Sequence, residues 1–326
     1  MSVRVTLKDL AAQLALDKSS VSLALRDSPK ISDATRARVR EAARRMGYRP
    51  NLAARRLRTQ RAQYVGLVFP ASFHALTSLV VVRTIRFLAE HAAQRGLLFS
   101  ILSCRDLAGA GGDASACPLL PHGVLLWGDT PAGTASELAA FGRPVLVLDP
   151  NHSSYRGYEG LTVRVANSAG AAALVGHLVE RGVERLLFVR ALPEHLGHEE
   201  RWQGARDAWC RARSEATLTF RPAEQLADAE LVSFSATRHG AIFCSNDFAA
   251  VQIWHRLVRL GVSVPDQVRL VGFDGTEGAR MLGLTTALFD SARLAQVALA
   301  ALCDLMEDRP AQTTPIAVEI QPGETT

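Results

Sequence analysis

Lysine is almost missing from this 326-residue chain: only Lys8, Lys18 and Lys30 occur, and none follows. The Gly-rich stretch "GAGG" at 109–112 has no lysine beside it and no helix signal after it. The chain contains no Walker-type G-x-x-x-x-G-K-[ST], no G-x-G-x-x-G after the first apolar segment and no G-x-S-x-G elbow. The common signatures of nucleotide-dependent enzymes and serine hydrolases are thus absent, and no catalytic residue is assigned. Cysteine is also scarce. Cys104, Cys117, Cys210, Cys244 and Cys303 are scattered, with no C-x-x-C pair and no histidine cluster at ligand spacing. That pattern excludes a disulfide framework or a thiolate metal site and suits structural thiols in a reducing compartment. No metal or cofactor is expected. No apolar run reaches the roughly 18 residues needed to span a bilayer, and the N-terminus has no apolar signal core. The expected location is the cytoplasm, with no membrane partner.

What is present is a globular composition, 48% hydrophobic and 21% charged, in a chain too long for one ordinary core. The net charge of +5 hides an asymmetry. Residues 1–61 carry 15 Lys and Arg against 5 Asp and Glu, while the rest carries 22 against 27. A basic segment of that density suits a polyanion such as nucleic acid or an anionic membrane.

The basic segment reads as three short helices. Thr6 is a good N-cap with Asp9 in the capping-box position, and Leu7, Leu10, Ala11 and Leu14 mark one face. After a break at Ala15-Leu16, Asp17 caps "KSSVSLAL", whose inward face is Val21, Ala24 and Leu25. Ser32 caps a third helix that buries Val39, Ala42, Ala43 and Met46, with Gly47 ending it. Two helices joined by a tight turn, followed by a third, form a helix-turn-helix. Its second helix presents Lys18, Ser19, Ser22 and Leu23, which can pair with base edges or touch a thymine methyl. The arginines of the third helix suit phosphate anchoring.

"VTLKDLA", "VSLAL", "DATR", "MGYRPN" and "LAARRL" follow in order through residues 5–61. Here the chain resembles the DNA-binding headpiece of the lactose-repressor (LacI) family. The resemblance implies a hinge helix after Asn51 that orders on operator DNA and enters the minor groove as a pair, one from each subunit. In that pattern Leu57 is the wedge between central base steps, and Ala54 lets the paired helices pack closely. An apolar wedge kinks DNA for a few kcal/mol, offset by new contacts. The implied DNA contacts are Thr6, Lys18, Ser19, Ser22, Leu23, Asn51, Ala54, Arg55 and Leu57. Two departures stand out. Ala15 replaces the usual turn glycine, a substitution costing on the order of 1 kcal/mol if that residue needs a positive φ. Leu23 stands where the family often has Arg.

From Tyr64 the pattern alternates. Apolar strands at 64–70, 97–102, 122–128 and 144–149 form one set, and 161–167, 185–190, 240–247 and 268–274 a second. Helices fall near 77–95, 168–181, 199–213, 247–260 and 291–307. Short all-apolar strands alternating with helices predict open parallel α/β sheets, here as two lobes. Ligands of such sheets bind at the carboxyl ends of the strands, which points to Asp149, Asn246-Asp247 and Asp274. Each of these could instead be a helix N-cap. Arg201 begins a helix and could hold sugar hydroxyls by charge-assisted bonds. "AIFCSNDFAAVQIWHRLVRLGVSVPDQVRLVGFD" (241–274) and "RWQGARDAW" (201–209) extend the family resemblance over nearly the whole chain. They imply a core like periplasmic sugar-binding proteins, with effector contacts from Asp149, Arg201, Asn246 and Asp274. Phe73 and Phe220 are candidate pocket walls, and Asp247 is read as the cap of the following helix. The core also departs from the pattern. Ala166-Asn167 replaces the usual Asp-Asn, the Gly-rich, shortened "DLAGAGGDASACP" stands where a helix is expected near 105–120, and 211–238 looks abbreviated.

The expected architecture is therefore an all-α headpiece at 1–50, a hinge and linker at 51–61, and a two-lobed α/β core with Rossmann-like parallel sheets at 62–326. The expected function is a DNA-binding transcriptional regulator, a homodimeric repressor on a pseudo-palindromic double-stranded operator, modulated by a small carbohydrate-like effector. The alternatives are a regulator whose core senses no ligand, an α/β enzyme, and a sugar-transport receptor. The last two lack their motifs or signal segment.

Overall fold

The computed structural model describes residues 7–25, 31–46, 64–69, 79–104, 121–128, 133–140, 142–150, 153–193, 195–237 and 239–326. The chain divides into two units, Met1–Ala62 and Gln63–Thr326.

In the first unit, α1 (Leu7–Leu14), α2 (Lys18–Ala24) and α3 (Asp33–Arg45) close on a small core of Leu10, Ala11, Val21, Ala24, Val39, Ala42 and Ala43. Local chemistry sets the ends. The Asp17 side chain accepts the Ser20 N–H at 2.8 Å, and Ser32 Oγ accepts that of Thr35 at 3.3 Å. α1 ends in a Schellman arrangement, with Leu16 N–H donating to Ala11 O (3.0 Å) and Ala15 N–H to Ala12 O (3.2 Å). Ala15 sits there at φ +52°, so the turn does demand the left-handed conformation that glycine adopts freely.

The second unit has two sheets. The first has strand order β2-β1-β3-β4-β5, all parallel: β1 (Tyr64–Phe69), β2 (Leu98–Ser103), β3 (Gly123–Trp127), β4 (Val145–Leu148) and β5 (Thr162–Val163). The second has order β11-β10-β9-β8-β6-β7, with β6 (Arg185–Arg190), β7 (Leu218–Pro222), β8 (Gly240–Cys244), β9 (Val268–Phe273), β10 (Thr285–Phe289) and β11 (Val318–Gln321). Only β11 runs antiparallel, against β10. Continuous apolar strands such as "YVGLVF" are covered on both faces, as parallel sheets require.

Among the described residues, the helices of this unit are α4 (Leu79–Gln94), α5 (Thr134–Ala140), α6 (Asn167–Glu180), α7 (Leu196–Ala212), α8 (Asp228–Ser235), α9 (Asp247–Arg259), α10 (Glu277–Met281) and α11 (Ser291–Met306). α4 and α11 cover one face of the first sheet, where Leu88, Leu294, Leu299 and Leu302 meet Leu67, Leu125 and Leu146. α6 and α7 cover one face of the second sheet through Leu174, Leu178 and Trp209, and α8 and α9 the other through Leu231, Ile253 and Leu257.

One sequence expectation changes. The 161–167 segment belongs to the first sheet, where Val163 pairs with Leu148, and not to the second lobe. The 211–238 segment, read as abbreviated, holds the edge strand β7 and α8. The chain passes between lobes three times, at 164–166, at Asp290 and over 307–317. The first and third passages are laced together by a Val165–Ile316 bridge and by Ala166 N–H donating to Ile316 O at 2.9 Å.

Candidate functional site

Strand ends bring the polar residues of the core together. Arg201, in the second turn of α7, is 3% exposed. Its Nε donates to Asn167 Oδ1 at 2.9 Å and its Nη1 to the Ser245 carbonyl at 2.7 Å. Nη1 also lies 3.1 Å from Asp274 Oδ1, and the guanidinium sits over the Phe273 ring, 3.8 Å from its centroid. α6 and α7 can bring these groups so close because Gly204 presses on the backbone of Ser168, where a Cβ would meet the Ser168 carbonyl oxygen at 2.2 Å.

Asp274 follows β9 at φ +117°, a conformation costing about 1–3 kcal/mol in a non-glycine residue. Its N–H donates to Ala287 O at 2.7 Å. Burial pushes the Asp274 carboxyl up, Arg201 pulls it back down, and the nearby Asp149 carboxylate raises it further. Asp149 ends β4 at φ +40° and is 6% exposed; its Oδ1 accepts the Val165 N–H at 3.2 Å. Asp149 belongs to the first lobe and Arg201 and Asp274 to the second, so three sequence-predicted groups share one charged neighbourhood.

The cap of α9 is Asn246 and not, as the sequence suggested, Asp247. Asn246 is the N-cap of α9, its Oδ1 accepting the Ala249 N–H at 2.9 Å. Asp247 turns inward and is fully buried, accepting from Thr286 Oγ1 and from Thr276 N–H, both at 2.6 Å. Burial, then the nearby Asp274 charge, push its carboxyl up to about 7. Gly272 makes room for it, since a Cβ there would meet Asp247 Oδ1 at 2.3 Å.

Phe220 lies on β7 with its ring 4.8 Å from Trp202 and 6.3 Å from Phe188, and Arg190 covers it at 5.2 Å. It packs against the core cluster beneath α6 and α7. Thr6, Asn51, Ala54, Arg55, Leu57 and Phe73 lie outside the described residues, as does the hinge at 51–61. Of the α2 face, Lys18 is exposed and Leu23 half-buried.

Several residues of the core site were not assigned from the sequence. Asn167 bridges Arg201 and Glu200, its Nδ2 donating to Glu200 Oε2 at 2.9 Å. Burial raises the Glu200 carboxyl, with the Asn167 bond opposing. His198 is 2% exposed, and its Nδ1 accepts the Leu192 N–H at 3.3 Å and lies 3.1 Å from Ser245 Oγ. Burial holds its pKa well below the usual imidazole value, with His195, Arg201 and Arg190 adding to the effect. Asn167 carried two signals, its place at the opening of a helix after a strand and its match to the Asn of the family's Asp-Asn pattern. Among the described residues no group of His, Cys, Asp and Glu is placed to hold a metal ion, and no helix is long and apolar enough to cross a membrane.

A two-lobed α/β core with charged groups converging at its strand ends, joined to a helix-turn-helix unit, defines a class of DNA-binding regulator. Residues 6–51 match the bacterial regulatory proteins of the lacI family, and residues 175–326 match the periplasmic binding protein-like domain. The HTH-type transcriptional regulator GntR of Pseudomonas aeruginosa is 28% identical over 287 residues, covering 85% of this chain and 81% of the relative. GalR of Escherichia coli, another HTH-type transcriptional regulator, is 25% identical over 327 residues, covering 94% and 90%. The fold is that of the Lac repressor dimer solved with operator and the anti-inducer ONPF (TM-score 0.79, 18% identity, 99% of each chain). It is also that of the transcriptional regulator CelR in complex with cellobiose (TM-score 0.67, 20% identity, 99% and 100%). The chain belongs to the LacI family of DNA-binding transcriptional regulators.

Proposed function

We propose that this regulator is a homodimeric repressor whose hold on a pseudo-palindromic operator is set by a small polyhydroxylated effector bound between the lobes. The observation that carries the reading is the meeting of Asp149 from the first lobe with Arg201 and Asp274 from the second. Carboxylates that accept, and a fixed guanidinium that donates, suit the hydroxyl groups of a carbohydrate. The complex of the structurally similar CelR with cellobiose supports that ligand class. One helix-turn-helix per chain supports a twofold arrangement on DNA, with one α2 in each major-groove half-site. In this reading residues 51–61 are the hinge, Leu57 is the minor-groove wedge, and Asn51, Ala54 and Arg55 flank it.

Selection of genomic fragments by the purified full chain tests the DNA half. The expected outcome is a pseudo-palindrome of roughly 14–20 bp; an asymmetric, unrepeated site would overturn it. Thermal shift against a panel of sugars then finds the effector. Asp274→Ala is expected to keep operator binding and lose the sugar response. An undiminished response would remove Asp274 from the site.

A further inference from the structure

We infer that Arg83 is a positioning residue of the core site: it latches the first lobe to the turn that carries Asp274, and so fixes both that turn and the spacing of the lobes. Arg83 stands on α4, which packs on the first sheet. Its guanidinium reaches across to the turn after β9. Nη1 donates to the Gly275 carbonyl at 2.9 Å and Nη2 to the Asp274 carbonyl at 3.2 Å. Nε donates to Ser291 Oγ at 3.0 Å, at the start of α11, where the chain has just returned to the first lobe. One planar group thus ties a helix of lobe one, a turn of lobe two and a passage between them.

The backbone of the turn is shaped for this fork. In an extended strand successive carbonyls point to opposite sides, so one guanidinium could not take two in a row. Here Asp274 and Gly275 both have positive φ, +117° and +62°. A Cβ on Gly275 would meet Leu288 Cδ1 at 2.4 Å, so the turn is also pressed against β10. Arg83 and Arg201 then hold opposite ends of the same residue. Arg83 takes the Asp274 carbonyl, and Arg201 takes its carboxylate at 3.1 Å. Asp247, Asp274 and Asp290 supply the negative field around the half-buried Arg83. An arginine is suited to this task and a lysine is not, because only the fork offers several donors at fixed angles. Moving α4 away from the turn by an ångström or two breaks the two carbonyl bonds together.

That the turn belongs to an effector site rests on the function proposed above; that Arg83 holds the turn does not. Hydrogen–deuterium exchange on the ligand-free full chain separates the two. In Arg83→Ala, peptides spanning 272–278 are expected to exchange at least ten-fold faster, while β6 and β8 peptides stay within two-fold of wild type. Arg83→Lys, which retains the charge and one point donor, is expected to fall between, and it serves alone if Arg83→Ala does not fold. Ser291→Ala, which removes only the bond on the lobe-one side, is expected to leave 272–278 near wild type. Unchanged protection of 272–278 in the Arg83 variants would overturn the latch, as would an acceleration shared equally by β6 and β8. Operator titration of the same variants addresses regulation: a loosened turn with unaltered DNA affinity counts against the regulatory reading while supporting the latch.

Discussion

Asn167 and Arg201 stand on two neighbouring helices, α6 and α7, and their side chains meet at 2.9 Å with almost no access to solvent. The asparagine is bonded to both Arg201 and Glu200 through its side-chain amide. Replacing it by alanine leaves a buried guanidinium N–H without its acceptor and takes one donor from the half-exposed Glu200, which keeps its ion pair with Arg164. Asn167→Ala is expected to destabilise the core by about 1–3 kcal/mol, read as a lower urea midpoint. A loss under about 0.5 kcal/mol, the level of an ordinary surface substitution, would mean that water replaces the amide without penalty.

Ala15 holds φ +52° at the end of α1. Glycine adopts that conformation without the Cβ clash, so Ala15→Gly is expected to stabilise the headpiece by about 1 kcal/mol. Its melting transition should rise by several degrees. A lower transition would show that the turn does not need the left-handed conformation.

Two buried groups give stability opposite pH dependences. His198 stays neutral when folded, and its Nδ1 is committed to accepting the Leu192 N–H. Below the usual imidazole value of about 6.5 the unfolded chain takes a proton that folded His198 refuses, so stability falls with acid. Asp247 is pushed up to about 7. Between the usual carboxylate value of about 3.9 and that point the folded chain keeps a proton that the unfolded chain has released. Its contribution therefore declines as pH rises towards 7 and is lost above it. Urea midpoints from pH 5 to 8 should show His198→Gln flattening the acid limb and Asp247→Asn flattening the neutral one. An unchanged slope in either variant would refute the corresponding assignment.

On DNA, Lys18 is the exposed first residue of α2. Lys18→Ala is expected to weaken the best site by about 1–3 kcal/mol and relax one base position. Arg55→Ala should weaken all sequences alike and flatten the salt dependence. Leu57→Ala should reduce operator bending in a circular-permutation assay while sugar binding persists. Equal losses on specific and random DNA for Lys18→Ala would refute base reading there.

The features legible in the sequence were those decided locally. Asp17 and Ser32 announce their helices because a cap needs only a residue three positions on. The apolar runs of β1, β6 and β8 announce strands because both of their faces are covered. Where tertiary partners decide, the sequence was mute or misleading. Val163 is buried in whichever sheet it joins, so periodicity could not say which. Asn246 and Asp247 are both plausible caps, and only Thr276 and Thr286, 29 and 39 residues further on, draw the aspartate inward. β10 opens with Thr285 and Thr286, polar residues buried by hydrogen bonds to Thr326 and Asp247, and so carries a weak apolar signal. Arg83 gave no sign at all, since its partners lie 191 to 208 residues away.

The three passages between the lobes have a consequence for how such a core can be cut and recombined. α11 belongs to the first lobe although it follows β10 of the second, and β11 then returns to close the second sheet. Neither lobe is therefore a continuous stretch of gene. A crossover at any single point between β5 and β10 would join incomplete halves from two parents. Exchanging the second lobe for that of a relative requires three simultaneous junctions, one at each passage, whereas the headpiece can be traded at one, near residue 62. New pairings of operator and signal are thus most easily made by grafting at that single junction, with the whole core moving as one cassette.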